Sequence, residues 1–155
     1  MELQLKKFDI NEVKDNKVVV LIGKRDTGKS FLCKDILFHH NDIPAGQVIS
    51  GTEGANQFYS QIVPKLFIHN EFNTSIVDNM LKRQKLMLDK LRSGEQVDPR
   101  AFLILDDCLY DNAWAKTPIM RSIFMNGRHY NLLFMLTMQY ALGIPPNLRT
   151  NIDYI

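Results

Sequence analysis

Eight consecutive residues near the start of the chain have the types and spacing that bind phosphate. They fit the pattern G-x-x-x-x-G-K-[ST] at every defined position, and they are Gly23, Lys24, Arg25, Asp26, Thr27, Gly28, Lys29 and Ser30. Glycine lets a backbone wrap closely round an anion, and a helix that starts after the loop points its N-terminus at the charge. We therefore expect a nucleotide here, with the Lys29 ammonium on its β and γ phosphates and the Ser30 hydroxyl on Mg²⁺. The alternative is a chance match in a surface turn.

Two adjacent carboxylates, Asp106 and Asp107, end an apolar segment in the second half of the chain. Mg²⁺ at the phosphates needs a carboxylate delivered by the carboxyl end of another strand, and Asp106 fits that role. A second carboxylate beside it can polarise the attacking water, so Asp107 is the candidate general base or water-positioning group. The alternative for this pair is a solvated turn.

Gln139 follows another apolar segment, residues 132–137. If that segment is a parallel strand, its carboxyl end lies at the same edge of the sheet as the phosphates. A glutamine at that edge is placed to contact the attacking water or the γ phosphate. The alternative is an ordinary polar residue at the end of a strand.

Three arginines are candidates for stabilising the charge of the transition state. Arg25 lies inside the phosphate loop, where its side chain can fold over the phosphates of its own site. Arg128 and Arg149 each precede a predicted strand, so we expect both at the opposite edge of the sheet. From that edge only a neighbouring subunit's nucleotide is within reach, which suggests a ring. For each of the three, an ordinary surface arginine is the alternative.

The segments around these residues predict strands and helices in alternation. Apolar runs of strand length occupy residues 18–22, 47–50, 66–68, 101–105 and 132–137, and residues 151–155 have the pattern of a strand cut short. Helical spacing and start or stop signals cover residues 29–39, 73–93 and 117–127. This alternation predicts an α/β fold, with a mostly parallel central sheet and helices on both faces.

The long helix predicted over residues 73–93 has signals at both ends. Ser75 with Asp78 three positions later fits a capping box, and Gly94 fits a C-terminal stop. The helix also carries a cluster of basic residues, namely Lys82, Arg83, Lys85, Lys90 and Arg92. Such a cluster is either a solvated helix face or a surface that binds DNA.

Composition indicates one domain without a strong net charge. The chain has 155 residues, 45% of them hydrophobic, and its 19 Lys plus Arg against 17 Asp plus Glu leave a formal net charge of +2. We expect a single domain over 1–155 whose core needs no disulfide. The cysteines at positions 33 and 108 form no C-x-x-C pair, which fits a reducing compartment. The apolar runs fall far short of the roughly 20 residues of a bilayer span, so we expect no membrane insertion.

Five motifs in order resemble a known family. They are residues 23–30, Leu105 to Cys108, residues 126–131 with the sequence Asn-Gly-Arg-His-Tyr-Asn, residues 137–140 with Thr-Met-Gln-Tyr, and residues 144–149 with Ile-Pro-Pro-Asn-Leu-Arg. Together they resemble the DNA-packaging ATPases of large nucleocytoplasmic DNA viruses, which are related to the FtsK/HerA translocases. The resemblance spans residues from about 18 to the end of the chain.

This resemblance implies a P-loop fold of the additional-strand type and hydrolysis of ATP with Mg²⁺. It implies that Lys29 and Ser30 bind phosphate and magnesium, that Asp106 and Asp107 form the acidic pair, and that Gln139 is the sensor. It favours Arg128 as a trans-acting arginine finger. The implied partners are double-stranded DNA, other subunits of a homo-oligomeric ring, and a capsid or portal-type component. The implied location is the viral assembly site in the host cytoplasm, or the virion.

Members of this family continue past the segment that corresponds to residues 153–155, so we expect the chain to be truncated at its last strand. The residues are also compatible with two other functions. One is a P-loop kinase that phosphorylates a nucleoside or another small molecule. The other is a nucleotide-binding fragment without turnover. An acidic pair with a distal glutamine favours hydrolysis over kinase chemistry.

Overall fold

Five short apolar segments pair into one parallel sheet. The computed structural model describes residues 4–155, with every side chain in that range except that of Leu142. The strands are β1 (Val18–Ile22), β2 (Gly46–Ser50), β3 (Ile68–His69), β4 (Ala101–Asp106) and β5 (Leu132–Met138). Their order across the sheet is β1-β5-β4-β2-β3, and each neighbouring pair runs parallel. Strand β5 thus lies between β1, which leads into the phosphate loop, and β4, which ends in the acidic pair.

The register of the sheet brings the carboxyl ends of its central strands to one edge. Ile22 of β1 is opposite Met138 of β5, and Thr137 of β5 is opposite Asp106 of β4. Asp106 is in turn opposite Ser50 of β2. Loops that leave these four strands therefore start side by side, which is the usual place for a ligand in an open parallel sheet.

Helices cover both faces of the sheet, and successive residues of a strand pack alternately on the two faces. On one face, α1 (Lys29–His39) packs its buried Cys33, Ile36 and Leu37 against strand residues such as Val19 and Met135. On the other, α3 (Thr74–Arg92) and α4 (Pro118–Asn126) pack against the opposite set of strand side chains. The remaining helices, α2 (Glu53–Asn56) and α5 (Pro146–Arg149), are single turns. Burial on both faces explains why β4 and β5 are continuously apolar up to their polar ends.

This architecture confirms the fold predicted from the sequence, an α/β P-loop fold with a mostly parallel sheet. The predicted strand at residues 66–68 is displaced, because residues 65–67 form a 3₁₀ turn and β3 pairs only through Ile68 and His69. The strand expected at residues 151–155 forms a single parallel bridge between Val19 and Tyr154.

The capping box expected at the start of α3 is wrong. Asn73, in extended conformation, is the N-cap, and its side-chain oxygen accepts a hydrogen bond from the backbone N–H of Ser75 at 2.9 Å. Asp78 instead pairs with Lys82 one turn later, at 2.6 Å. Gly94 does end the helix, with φ at +87°, a conformation that only glycine adopts without strain.

The basic residues of α3 have partners within the chain. Lys82, Lys90 and Arg92 lie within 4 Å of Asp78, Glu95 and Asp89 respectively, at 2.6, 3.9 and 3.2 Å. The Lys85 ammonium lies 6.0 Å from the centre of the Tyr130 ring. Arg83 donates a hydrogen bond to the side chain of Gln84. These contacts favour a solvated helix face over a DNA-binding surface.

A buried side-chain amide on α3 forms hydrogen bonds with the segments that precede β4 and β5. Gln84 has no exposed surface, and its amide nitrogen donates to the carbonyl oxygens of Pro99 and Tyr130, each at 2.7 Å. A buried polar side chain is tolerated because it is hydrogen-bonded in this way. Within residues 4–155, no helix combines the length and the hydropathy needed to cross a membrane.

We predict that Gln84→Leu lowers the free energy of unfolding by about 1–2 kcal/mol, since it leaves two part-buried carbonyls without their donor. Denaturant unfolding at equilibrium measures this change. The control is Lys82→Ala on the same helix, where 71% of the side chain is exposed and we expect less than about 0.5 kcal/mol. Equal changes in the two variants would show that the Gln84 hydrogen bonds do not stabilise the fold.

Candidate nucleotide-binding site

The phosphate loop is shaped by residues in left-handed conformations. It starts where β1 ends, and the backbone N–H of Gly23 donates to the carbonyl of Met138 at the end of β5. Asp26 and Gly28 have positive φ, 60° and 89°. Gly28 is the residue before the first turn of α1. Alternation of this kind bends a backbone into a concave surface that binds anions, and the start of α1 adds the positive end of a helix dipole.

Lys29 folds back over this loop. Its ammonium donates to the carbonyl oxygens of Gly23 and Lys24, both at 2.8 Å. The Thr27 hydroxyl donates to the same Lys24 carbonyl, also at 2.8 Å. The carbonyls of the chain itself therefore hold the ammonium against the loop.

Asp106 is a buried carboxylate with both oxygens hydrogen-bonded. It is 2% exposed. Oδ2 accepts from the hydroxyl of Tyr59 at 2.7 Å, and Oδ1 accepts from the hydroxyl of Thr137. Burial raises the pKa of Tyr59, so its hydroxyl stays a neutral donor. Burial likewise raises the pKa of the nearby Cys108 thiol to about 12, which keeps that thiol uncharged.

Asp107 directly follows β4 and contacts Gln139. Its φ of 49° is left-handed, and its backbone N–H donates to the Thr137 hydroxyl oxygen at 3.0 Å. Both oxygens of its side chain lie 3.4 Å from the amide nitrogen of Gln139. Gln139 directly follows β5 and so lies at the same edge of the sheet as the phosphate loop and the acidic pair, as its position in the sequence predicts.

One cleft brings together the phosphate loop and the acidic pair. Its volume is about 580 Å³, within the range of small-molecule sites. From the loop and α1 it is lined by Arg25, Asp26, Thr27, Gly28, Lys29, Ser30 and Phe31, and from other segments by Thr52, Asn56, Phe58, Tyr59, Asp106 and Asp107. A larger cavity of about 620 Å³ near the starts of β2 and β4 is mainly apolar, and the described residues that line it include none of the predicted site residues.

A second cleft of about 480 Å³ adjoins the first. Arg25 and Asp107 line both, whereas Gln139 lines the second. The second cleft is also lined by three aromatic residues, Tyr110, Trp114 and Tyr140. Asp107 and Arg25 therefore lie at the boundary between the cleft of the phosphate loop and the cleft that Gln139 lines.

The two other candidate arginines lie elsewhere. Arg128 is in the turn that precedes β5, and its guanidinium is 3.6 Å from the carboxylate of Asp153. Arg149 ends α5, and its Nε donates to the carbonyl of Ile144 at 2.7 Å. The position of Arg128 agrees with the expected opposite edge of the sheet, since β5 starts there.

The donor set of the cleft fits a magnesium ion. Ser30 and Asp106 supply hydroxyl and carboxylate oxygens to the same cleft, and Mg²⁺ prefers oxygen ligands. Among residues 4–155 there is no cluster of three or more His, Cys, Asp and Glu side chains that could hold a metal ion. Mg²⁺ commonly binds to one or two protein oxygens together with substrate phosphates and water, which is what this cleft offers.

Three residues of the site were given no role from the sequence: Tyr59 and Glu53, which lie outside every motif, and Thr137, which begins the motif at residues 137–140. Tyr59 and Thr137 hold the Asp106 carboxylate. Glu53, only 6% exposed, accepts the backbone N–H groups of Tyr59 and Ser60, both at 2.8 Å. Thr137 had a weak signal as the first polar residue of an apolar strand. Tyr59 and Glu53 lie in an irregular segment after β2, where no periodicity marks them.

The chain has relatives among viral proteins. An uncharacterized protein of Acanthamoeba polyphaga mimivirus is 42% identical, over 99% of this chain and 56% of its own length. An uncharacterized protein of Invertebrate iridescent virus 6 is 43% identical, over 98% of this chain and 61% of its own length. The chain thus spans about half to three fifths of the length of these relatives. No model of a known protein family matches the chain.

Solved structures with the same fold are nucleotide-binding proteins. The genome packaging NTPase B204 of Sulfolobus turreted icosahedral virus 2, in complex with AMPPCP, superposes with a TM-score of 0.59 and 21% identity over 90% of this chain and 73% of that one. EssC (ATPases 2 and 3) of Geobacillus thermodenitrificans has a TM-score of 0.63 and 14% identity, over 91% of this chain and 32% of its own.

These comparisons confirm the resemblance drawn from the motifs. The sequence relatives come from a mimivirus and an iridescent virus. At identities of 14–21% the structural likeness defines the fold. The chain is a homologue of these viral proteins with the P-loop NTPase fold, the fold of a viral genome packaging enzyme.

Proposed function

We propose that this chain is the ATP-hydrolysing domain of a motor that moves double-stranded DNA into a viral capsid. The observation that carries the proposal is the 580 Å³ cleft, which joins the phosphate loop to the carboxylates of Asp106 and Asp107 from a different strand. Phosphoryl transfer depends mainly on positioning and on charge stabilisation. A loop of backbone donors, one lysine and two carboxylates in a single cleft supply both.

In this proposal each group has one task. The loop backbone and Lys29 bind the phosphates of ATP, while Ser30 and Asp106 hold Mg²⁺. When bound, Mg²⁺ neutralises charge on the phosphate oxygens. The attacking water loses its proton to Asp107, its oxygen bonds to the γ phosphorus, and the bond to the β–γ bridging oxygen breaks to leave ADP and phosphate. Gln139, in contact with Asp107, senses whether the γ phosphate is present.

The motor function extends beyond the single chain. Arg25 serves its own nucleotide from within the loop, while Arg128 or Arg149 serves the nucleotide of the next subunit in a homo-oligomeric ring. Double-stranded DNA and a capsid or portal-type component are the proposed partners, at the assembly site in the host cytoplasm or in the virion. Support comes from the motif order and from the viral origin of the relatives.

A kinase is the alternative enzyme. It transfers the γ phosphate to an acceptor and so does not need a general base paired with a sensor glutamine. The Asp107–Gln139 contact at 3.4 Å therefore favours attack by water. Release of inorganic phosphate, measured beside transfer to nucleosides, separates the two activities.

The deciding experiment is ATP hydrolysis with and without added duplex DNA. We expect DNA to increase the rate, and Lys29→Ala to abolish nucleotide binding or turnover without unfolding the chain, because this side chain is only partly buried and contributes charge rather than core packing. Lys34→Ala on the same helix, outside the cleft, is the matched control and keeps the activity. Full activity of Lys29→Ala would contradict the phosphate-loop assignment, and nucleoside phosphorylation would favour the kinase.

Asp107→Asn tests whether the two carboxylates have different roles. We expect this variant to bind Mg²⁺ and ATP through Asp106 but to lose roughly 10²-fold or more in turnover, as for a lost general base. Binding of a fluorescent ATP analogue and single-turnover hydrolysis measure the two effects. If binding falls and turnover per bound ATP does not, Asp106 and Asp107 have the opposite roles.

Arg128→Ala tests whether this arginine acts on the nucleotide of a neighbouring subunit in the ring. Arginine fingers contribute on the order of 10³ to 10⁵ in rate, so this variant alone should be nearly inactive. Mixed with Lys29→Ala, it should recover part of the activity, because some interfaces then combine an intact phosphate loop with an intact Arg128.

The control for this mixing experiment is Arg121→Ala, which removes an exposed arginine of α4 and keeps the activity by itself. Native mass spectrometry verifies that mixed oligomers form. If mixed oligomers form and stay inactive, Arg128 is not a trans finger, and Arg149 or Arg25 takes that role.

A further inference from the structure

A tyrosine outside every motif touches the carboxylate that is assigned to the metal. Tyr59 is fully buried, and its hydroxyl donates to Oδ2 of Asp106 at 2.7 Å. The hydroxyl of Thr137 holds the other oxygen. The two donors come from different parts of the chain, the segment after β2 and the end of β5. Rotation of the Asp106 carboxylate therefore breaks a hydrogen bond at each oxygen.

The position of Tyr59 is itself held by a buried carboxylate. The two side-chain oxygens of Glu53 accept the backbone N–H groups of Tyr59 and Ser60, each at 2.8 Å. Hydrogen bonds to an ionised acceptor are about twice as strong as those between neutral groups. The ring of Phe58 also packs edge-on against the Tyr59 ring, with centres 5.2 Å apart. The hydroxyl is thus delivered to Asp106 by a segment that cannot shift without losing these contacts.

A phenol is chemically suited to hold a carboxylate that must also bind a cation. Its single proton occupies one lone pair of Oδ2 and leaves the other lone pair free. A lysine or arginine in the place of Tyr59 would neutralise Asp106 and repel Mg²⁺, whereas a neutral hydroxyl orients the carboxylate and keeps its charge available.

We propose that Tyr59 is a positioning residue for the Mg²⁺ site, which fixes the Asp106 carboxylate in the orientation that binds the metal. This inference rests on the proposed function of the cleft. Tyr59 acts through Asp106 and takes no part in the chemical step. The segment that carries Tyr59 also lines the cleft, through Thr52, Asn56 and Phe58. The same segment therefore both forms a wall of the cleft and positions Asp106.

The test is Tyr59→Phe, which removes the hydroxyl and keeps the ring. Calorimetric titration with a non-hydrolysable ATP analogue, once with Mg²⁺ and once with EDTA, separates the metal from the nucleotide. We expect the increase in affinity caused by Mg²⁺ to fall by roughly 10- to 100-fold, as for other groups that orient a metal ligand, and the affinity in EDTA to stay unchanged. The Mg²⁺ concentration for half-maximal hydrolysis should rise by the same factor.

The matched control is Tyr154→Phe, which removes a hydroxyl that donates to the carbonyl of Glu12 at 3.3 Å, outside the cleft. It should behave as the wild type in both titrations. A wild-type affinity that does not depend on Mg²⁺ would overturn the proposed metal site, and the role of Tyr59 with it. A Mg²⁺ effect of equal size in the wild type and Tyr59→Phe would overturn only the role of Tyr59.

A second variant covers the case in which Tyr59→Phe does not fold. Glu53→Gln leaves the tyrosine in place and weakens the contacts that hold its backbone, so the Mg²⁺ effect should fall in the same direction and by a smaller factor. An unchanged Mg²⁺ effect in a folded Glu53→Gln protein would overturn the proposal. So would a loss of affinity that is equal with Mg²⁺ and with EDTA, since that result indicates a purely structural role.

Discussion

Burying the Asp106 carboxylate at the end of β4 removes it from water, and hydrogen-bond donors must replace the lost solvation. The structure supplies one donor from each side, Tyr59 and Thr137. Neither donor is close in sequence, since 47 and 31 positions separate them from Asp106. The segment after β2 and the end of β5 are therefore both attached to β4 through this one charge.

The order of the strands makes that arrangement possible. Because β5 lies between β1 and β4, its last residues reach both neighbours. The Met138 carbonyl accepts the N–H of Gly23 at the start of the phosphate loop, and the Thr137 side chain bonds both to the carboxylate of Asp106 and to the backbone of Asp107. The strand that separates the two motifs thus also connects them, because hydrogen bonds join its last residues to the phosphate loop on one side and to the acidic pair on the other.

The opposite edge of the sheet, where β4 and β5 begin, carries ion pairs of two arginines. There Arg100 contacts the carboxylates of Asp15, Asp42 and Asp98, and the hydrogen bond from Arg100 lowers the pKa of Asp98. Arg128 pairs with Asp153 at 3.6 Å with 48% of its side chain exposed, a pair that contributes only about 0–1 kcal/mol. An arginine finger lowers the activation free energy of the reaction by several kcal/mol. If Arg128 has the proposed role in trans, the free energy lost with its Asp153 pair is therefore small by comparison.

The local features of this protein could be predicted from its sequence. The phosphate loop, β1, α1 and the polar ends of β4 and β5 each have a signal within about ten neighbouring residues, in apolar runs, glycines or helix breakers. The start of α3 was predicted to within one residue, but its cap was wrong, because Asn73 and Ser75 both suit that role and only the backbone conformation selects one of them.

The side chains that complete the site could be identified only in the folded chain. Tyr59 and Glu53 have no sequence signal, because their role depends on a segment that packs across the sheet onto a carboxylate 47 positions away. Gln139 and Asp107 line the same adjoining cleft, and their contact joins the ends of two strands across 32 positions of the chain. A hydrogen bond between distant segments depends on the packing of the whole core, and no local pattern of residues records that packing.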